Sequence, residues 1–269
     1  MAGCSPIRLF NAVIPADGFI RTADLSYGEL PRQRLDVYVP KGADAKPRPV
    51  VVFFYGGSWD SGSKESYLFV AEALTSKGFV TIVPDYRIYP EVRFPVFIED
   101  AAQAFRWVKQ NAAKFGGDPS RVFVMGHSAG AQIAAMLTFN NAYLEQVGLN
   151  KSGIKGFIGL SGPYDFLPLT SDRLKVIFGP EEGHALSQPI NFVSGNEAPA
   201  FLVHGDKDTT VKPGNTVRLA QRIRDRGGTV SELHFPRLDH TDRIIDISAP
   251  FRNGKPLLER IEEFIAAQP

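Results

Sequence analysis

Ser128 stands in the stretch Arg121-Val-Phe-Val-Met-Gly126-His127-Ser128-Ala129-Gly130, followed at once by Ala131-Gln-Ile-Ala-Ala-Met-Leu137. A short apolar β-type run from Val122 to Met125 meets the two glycines flanking the serine, and alanine-rich residues with helical apolar spacing come next. The pattern predicts strand, tight turn, helix. In such a turn the middle residue takes strained dihedral angles. Strand and helix also approach so closely that side chains at the flanking positions would clash, which glycine avoids. Ser128 is thereby held out at the carboxyl end of a strand, where it can serve as a nucleophile.

A serine hydroxyl attacks poorly at neutral pH unless a base lies within hydrogen-bond reach, itself oriented by a carboxylate. Both have candidates at the ends of later apolar runs. Phe201-Leu-Val-His-Gly-Asp206-Lys-Asp208 offers two acids. Asp208 is favoured because the loop has more reach by then, whereas Asp206, directly after Gly205, is expected to hydrogen-bond the turn backbone. The last β-type run leads into Pro236-Arg-Leu-Asp239-His240-Thr-Asp242, which puts His240 in a polar loop just past the sheet edge. The other histidines read more plainly. His127 and His204 adjoin strand ends and are expected to be satisfied by backbone groups beneath the site. His234 lies within a strand, and His184 lies in a later excursion from which it could touch a ligand.

Attack on an acyl carbon puts negative charge on the carbonyl oxygen, which needs preorganised N–H donors about 3 Å away. Gly56-Gly57, after the apolar run Pro49-Val-Val-Val-Phe-Phe54, lets the backbone come that close. Gly57 would donate, with the Ala129 N–H, next after the nucleophile, as the second donor.

These residues need a scaffold that gathers strand ends on one edge. Leu25–Tyr27 and Leu35–Pro40 read as a hairpin pair. Pro49–Phe54, Phe79–Val83, Val122–Met125, Ile154–Leu160, Ala200–His204 and Thr229–Phe235 read as further strands, several of them continuous apolar runs of the kind buried on both faces. Helices fall between, at about 67–76, 97–112, after Ser128, at 213–225 and at 255–267. The 97–112 helix is marked by apolar positions at 97, 101, 104, 105, 108 and 112. Alternating strands and helices imply a mostly parallel central sheet with helices on both faces. With no repeats and no linker, residues 1–269 read as a single α/β domain. Residues 1–24 would be an N-terminal extension over the surface, and residues 162–199 a cap-like excursion.

Composition narrows the partner. The 269 residues are 43% hydrophobic and 22% charged, and the net charge of +1 leaves no basic surplus for nucleic acid. A small-molecule ligand is expected. No apolar stretch approaches the roughly 18 residues that cross a bilayer, so a soluble domain is expected. The single cysteine, Cys4, rules out an intrachain disulfide. Its setting, Met1-Ala-Gly-Cys4-Ser, resembles the Leu-Ala-Gly-Cys end of a bacterial lipoprotein signal. Two readings stay open: an envelope protein anchored to the membrane by lipid on Cys4, or a cytoplasmic one with an ordinary terminus.

On these residues the chain resembles the α/β-hydrolase superfamily, in which Ser, Asp and His follow one another in this order. Within it, the likeness is to esterases with a His-Gly-Gly-Gly-Trp-type oxyanion motif: small carboxylesterases, hormone-sensitive-lipase-like enzymes and kynurenine formamidases. It covers about residues 30 to 265. Tyr55-Gly56-Gly57-Ser58-Trp59 aligns with the oxyanion motif, Asp85-Tyr86-Arg87 with an Asp-Tyr-Arg segment, and Gly126 to Gly130 with the nucleophile turn. His204-Gly205 with Asp208 matches the acid loop and His240 the base. Tyr55 replaces the family's histidine and Ser58 its third glycine, so the supports of the oxyanion site differ.

The resemblance implies a serine esterase with catalytic Ser128, Asp208 and His240, an oxyanion hole at Gly56, Gly57 and Ala129, and no cofactor or metal. Ser58, Trp59, Tyr164 and Phe166 are the expected substrate contacts, with Phe178 and Phe192 as further candidates. The excursion is too short for a large lid, so short-chain or aryl esters are expected over emulsified triglyceride. The alternative within the fold is amide hydrolysis of the arylformamidase kind, because Gly126-His-Ser-Ala-Gly-Ala131 resembles that turn too. A dehalogenase or epoxide hydrolase would need a carboxylate where Ser128 stands. A catalytically silent hydrolase fold used as a binding module is the reading from a different class.

Overall fold

Eight strands form one sheet in the order β1-β2-β4-β3-β5-β6-β7-β8. The computed structural model describes residues 10–42, 46–240 and 242–268. The strands are β1 (Phe19–Ser26), β2 (Arg34–Pro40), β3 (Arg48–Phe54), β4 (Val80–Pro84), β5 (Gly117–His127), β6 (Gly156–Leu160), β7 (Ala200–Gly205) and β8 (Val230–Phe235). β2 pairs antiparallel with β1 and with β4, and every pairing from β4 across to β8 is parallel. Parallel pairing sends the carboxyl ends of six strands to one edge, where an open α/β sheet binds its ligands.

The residues explain the layering. Every residue of β4, β6 and β7 is buried, which requires cover on both faces of the sheet. That cover comes from α1 (Leu68–Ser76), α2 (Val96–Asn111), α3 (Ala129–Phe139), α4 (Asp172–Phe178), α5 (Gly214–Asp225) and α6 (Leu257–Ala266). In α2 the buried residues Phe97, Ala101, Ala104, Phe105 and Val108 form the stripe read from the sequence. Each buried phenylalanine there contributes about 1.5–3 kcal/mol of transfer free energy. α3 is buried at all of its residues and packs against β5 and β6.

Two elements differ from the sequence reading. β1 begins at Phe19, so residues 19–24 belong to the sheet rather than to a surface extension. As an edge strand with one partner it alternates poorly in burial, and it shifts register between Thr22 and Leu25. That erases the period-2 signal. The excursion after β6 is not irregular: it holds α4 and 3₁₀ turns at Glu181–Ser187 and Pro189–Phe192. Cys4 lies outside the described residues, and among those residues no helix is long and apolar enough to cross a membrane.

Candidate active site

Ser128 follows the last residue of β5, with φ 55° and ψ −125°, and α3 starts at the next residue. A non-glycine residue held there costs on the order of 1–3 kcal/mol and persists only where its surroundings fix it. Here they do. A Cβ on Gly126 would come 2.2 Å from the Gly130 carbonyl oxygen, and one on Gly130 would come 2.1 Å from that of Phe54. The Ser128 N–H bonds the Leu160 carbonyl at 2.9 Å. The glycines flanking the serine are required by close approach of backbone to backbone.

Asp208 follows β7 and His240 follows β8, and both converge on Ser128. His240 Nε2 lies 2.8 Å from Ser128 Oγ, and His240 Nδ1 lies 2.7 Å from Asp208 Oδ2. The Asp208 Oδ1 accepts the Thr210 and Val211 N–H groups at 2.9 and 2.8 Å. Burial alone would raise the Asp208 pKa. Bonds from His204, His240 and the Val211 N–H outweigh it and hold the carboxyl well below the usual range. A carboxylate so fixed keeps a proton on His240 Nδ1 and leaves Nε2 free to accept one from Ser128.

The remaining titratable groups lie around this axis. His204 is fully buried and donates from Nε2 to the Val211 carbonyl at 2.9 Å, with the same nitrogen 3.3 Å from Asp208 Oδ2 and Thr216 Oγ1 at Nδ1. His127 donates from Nε2 to the His240 carbonyl at 3.1 Å. Burial, then the neighbouring His240, pushes the His127 pKa down to about 4, so its ring is neutral. Asp206 departs from the sequence reading: its carboxylate faces His234 Nδ1 at 3.1 Å rather than the turn backbone. That histidine stands beside it on β8, where a side-chain partner outcompetes the turn.

The loop after β3 runs against the serine. A Cβ on Gly56 would lie 3.0 Å from Ser128 Cβ, so glycine is needed for the approach. The Gly56 N–H acts on the buried Tyr67 phenol, which makes Gly56 a spacer more than a donor. Gly57, Ser58 and Trp59 have φ of 130°, 51° and 60°, three left-handed residues in succession. Among the described residues no acceptor pairs with the N–H groups of Gly57, Ser58 or Ala129. Free donors therefore flank Ser128 on both sides, while the Ala131 and Gln132 N–H groups of α3 already bond the Ser128 carbonyl.

Tyr55, the substituted position, anchors this loop. Its hydroxyl donates to Asp85 Oδ1 at 2.6 Å and accepts from Arg32 Nη2 at 2.9 Å, while Tyr86 donates to its carbonyl at 2.6 Å. Asp85 also takes the Lys64 N–H at 2.8 Å, and Arg32 reaches the Gly62 carbonyl at 3.0 Å. Arg87 holds Asp100 of α2 in a bidentate pair, donating from Nε and Nη2 to the two carboxylate oxygens. The Asp85-Tyr86-Arg87 segment is thus the brace for the loop. The sequence reading gave it no role, although an acid directly after a buried strand was a signal; Arg32 gave none.

A cavity of about 520 Å³ opens at Ser128. Trp59, Phe166, Leu167, Leu169 and Leu174 supply an apolar side, and Thr209, Thr210, Lys212, Arg218 and Asp165 a polar one, with Ser58 at the rim. The Trp59 ring stacks on Phe166 at 5.9 Å and meets Phe178 edge-on at 4.8 Å. Its Nε1 donates to Gln132 Oε1 at 3.1 Å, and Gln132 Nε2 donates to the Ser187 carbonyl at 2.9 Å. Gln132, a buried amide in the largely apolar α3, was an overlooked signal. Tyr164 is a correction. It is fully buried with its ring edge-on to Phe157 and under Gly159 and Gly162, and it lines no part of the cavity. Phe178 packs beneath Trp59. Phe192 and His184 lie off the cavity, and His184 bonds the Gly179 carbonyl at 2.9 Å.

The model of the BD-FAE family matches residues 35–223 of this sequence. The chain belongs to the BD-FAE family. Its fold is that of the α/β-hydrolases. This BD-FAE chain is 31% identical, over 85% of its length, to isoprenylcysteine alpha-carbonyl methylesterase of Arabidopsis thaliana, of which it covers 58%. It is 28% identical, over 85% of its length, to esterase LipC of Mycobacterium tuberculosis, of which it covers 61%. It spans 52–62% of the length of the first plant relatives it matches. Among solved structures it superposes on butyrate-bound esterase 2 of the planctomycete Thermogutta terrifontis with a TM-score of 0.74 and 25% identity, covering 93% of this chain and 94% of that one. The same esterase has been solved with propionate and phosphonylated by sarin.

Proposed function

We propose that the protein is a serine esterase that hydrolyses short-chain or aryl carboxylic esters through an acyl-serine intermediate, within one α/β-hydrolase domain carrying 162–199 as a small cap. The observation that carries this reading is the bonded line from Ser128 Oγ through His240 to Asp208 at the mouth of a cavity of about 520 Å³. His240 Nε2 takes the Ser128 proton as Oγ attacks the ester carbonyl. The oxyanion is met by the free N–H groups of Gly57 and Ala129, each worth roughly 10²–10³ in kcat in such sites. His240 then gives its proton to the departing alcohol. In the second step it takes one from water as the oxygen of that water attacks the acyl carbon, and returns it to Ser128 Oγ as the acid leaves.

The relatives named as esterases support the reaction class. Butyrate and propionate in the Thermogutta esterase support a short acyl group. Cavity size agrees, since Trp59 and Phe166 close the apolar side with rings suited to a short chain or an arene. Phosphonylation of that esterase by sarin supports a serine that reacts with phosphorus electrophiles. The test is hydrolysis of p-nitrophenyl acetate, butyrate and longer esters beside N-formylkynurenine, with fluorophosphonate labelling. Ester turnover and a label on Ser128 are expected. Ser128→Ala should lose roughly 10⁴–10⁶ in kcat while staying folded. Undiminished turnover in that variant defeats the assignment.

A further inference from the structure

His127 is the unassigned member of the nucleophile turn. It is nine-tenths buried or more, at 4% exposure, and its ring centroid lies 5.1 Å from that of His240. Its Nε2 reaches the backbone carbonyl of His240 across 113 residues. A carbonyl only accepts, so Nε2 carries the hydrogen and Nδ1 is a bare acceptor. That Nδ1 is buried without a partner, and a Cβ on Gly56 would lie 3.1 Å from it. The imidazole therefore fills the gap between the oxyanion loop and the loop carrying His240. An orphaned buried acceptor is destabilising, so the ring's position is explained by what its other nitrogen does.

The loop it reaches is held at its start by bonds from the Asp206 and Lys207 N–H groups to the Phe235 and Leu238 carbonyls, and His127 meets the backbone at His240 itself. Pro236 and Arg237, just before His240, are exposed, and exposed loop backbone opens more readily than a buried strand. His127, by contrast, ends the central strand β5 and is as rigid as the sheet. We propose that His127 is a positioning residue: its Nε2–H bond to the His240 carbonyl sets the height of the base so that His240 Nε2 stays on Ser128 Oγ. This rests on the serine-esterase reading of the site and adds a second fixed point for His240, independent of Asp208.

The test compares His127→Gln, His127→Phe, His127→Leu and Ser128→Ala with the parent on p-nitrophenyl butyrate and in fluorophosphonate labelling. A glutamine Nε2 sits as many bonds from Cα as the histidine Nε2, so it restores the donor. His127→Phe and His127→Leu fill the space without one. The expected result is a kcat loss on the order of 10²-fold in both apolar variants, as a misplacement of about 1 Å costs. KM should be unchanged, Ser128 labelling slowed in parallel, and His127→Gln close to the parent. The two apolar sizes guard against one of them misfolding, which near-ultraviolet circular dichroism reports. Parent-like kcat in either folded apolar variant overturns the proposal, as does a glutamine variant as slow as they are. If Ser128→Ala is fully active, the serine reading itself has failed, a different outcome from failure of the strut alone.

Discussion

Asp208 receives four hydrogen-bond donors, and their arrangement makes Asp208→Asn a sharp test. Oδ1 accepts two backbone N–H groups, from Thr210 and Val211, while Oδ2 faces His240 Nδ1 at 2.7 Å and His204 Nε2 at 3.3 Å. In Asp208→Asn the two backbone donors hold the amide oxygen on their side, so the NH₂ falls against the imidazoles. An amide NH₂ only donates. His240 must then leave Nδ1 bare and carry its proton on Nε2, where it meets Ser128 with the wrong group. A wrong tautomer of this kind costs about 10⁴ in kcat. At about 1.36 kcal/mol per tenfold this is about 5.4 kcal/mol of transition-state stabilisation. The NH₂ also faces His204 Nε2–H, which is committed to the Val211 carbonyl, so two donors oppose each other at a fully buried site. A further stability loss of about 1–3 kcal/mol follows. Steady-state kinetics on p-nitrophenyl butyrate separate the effects, with kcat collapsing and KM holding, and urea unfolding reads the stability. An Asp208→Asn protein within tenfold of the parent kcat would refute the argument that this carboxylate sets the His240 tautomer.

Three other outcomes follow from the geometry. Tyr55→Phe removes the hydroxyl shared by Asp85 and Arg32. Stability should fall by about 0.5–1.5 kcal/mol, and kcat by less than the roughly 10²–10³ of deleting an oxyanion donor, with KM little changed; parent-like kinetics would mean the brace is irrelevant to the loop. Gly130→Ala forces a Cβ to within 2.1 and 2.4 Å of the Phe54 and Tyr55 carbonyl oxygens. Both obstacles are backbone, so the loss should be at least about 1–3 kcal/mol, read as a lower urea midpoint. The third concerns pH. Buried His127, facing His240, Asp208 and His204, is pushed down to about 4 from an ordinary 6.5. Above 6.5 its contribution to stability is complete. As pH falls from 6.5 towards 4 the unfolded chain takes up a proton that the folded one refuses, so stability drops by about 3 kcal/mol at about 1.36 per unit. Urea unfolding across that window should show the step in the parent and lose it in His127→Gln. A loss confined below pH 4 would point to carboxylates such as Asp208 instead.

The parallel sheet was legible because buried parallel strands are written as unbroken apolar runs, as Pro49–Phe54 and Val122–Met125 are. The ends of those runs were legible as chemistry because Gly126 and Gly130 have a steric reason, and Asp208 and His240 each stand just past a strand end. β1 was half hidden because one-sided pairing and a bulge leave it with no period. Tyr164 misled for a different reason. Its neighbourhood in sequence is the cavity's, but the absent side chains of Gly159 and Gly162 leave a slot in which the ring lies buried. Gln132, Arg32 and Asp85 act across 55, 23 and 30 residues, and pairing at such range leaves no local spacing to read.

The pair of hydrogen bonds made by the Gln132 amide has a kinetic consequence. One amide clasps the indole of Trp59, on the cavity wall, with its oxygen and the backbone of Ser187, in the excursion, with its nitrogen, so the wall and the excursion share one buried fastener. Swinging the excursion away would break the Gln132–Ser187 bond and leave a buried amide donor unpaired. An excursion fastened in this way does not swing as a lid, and turnover should rise smoothly with dissolved ester, with no jump where droplets or micelles first form.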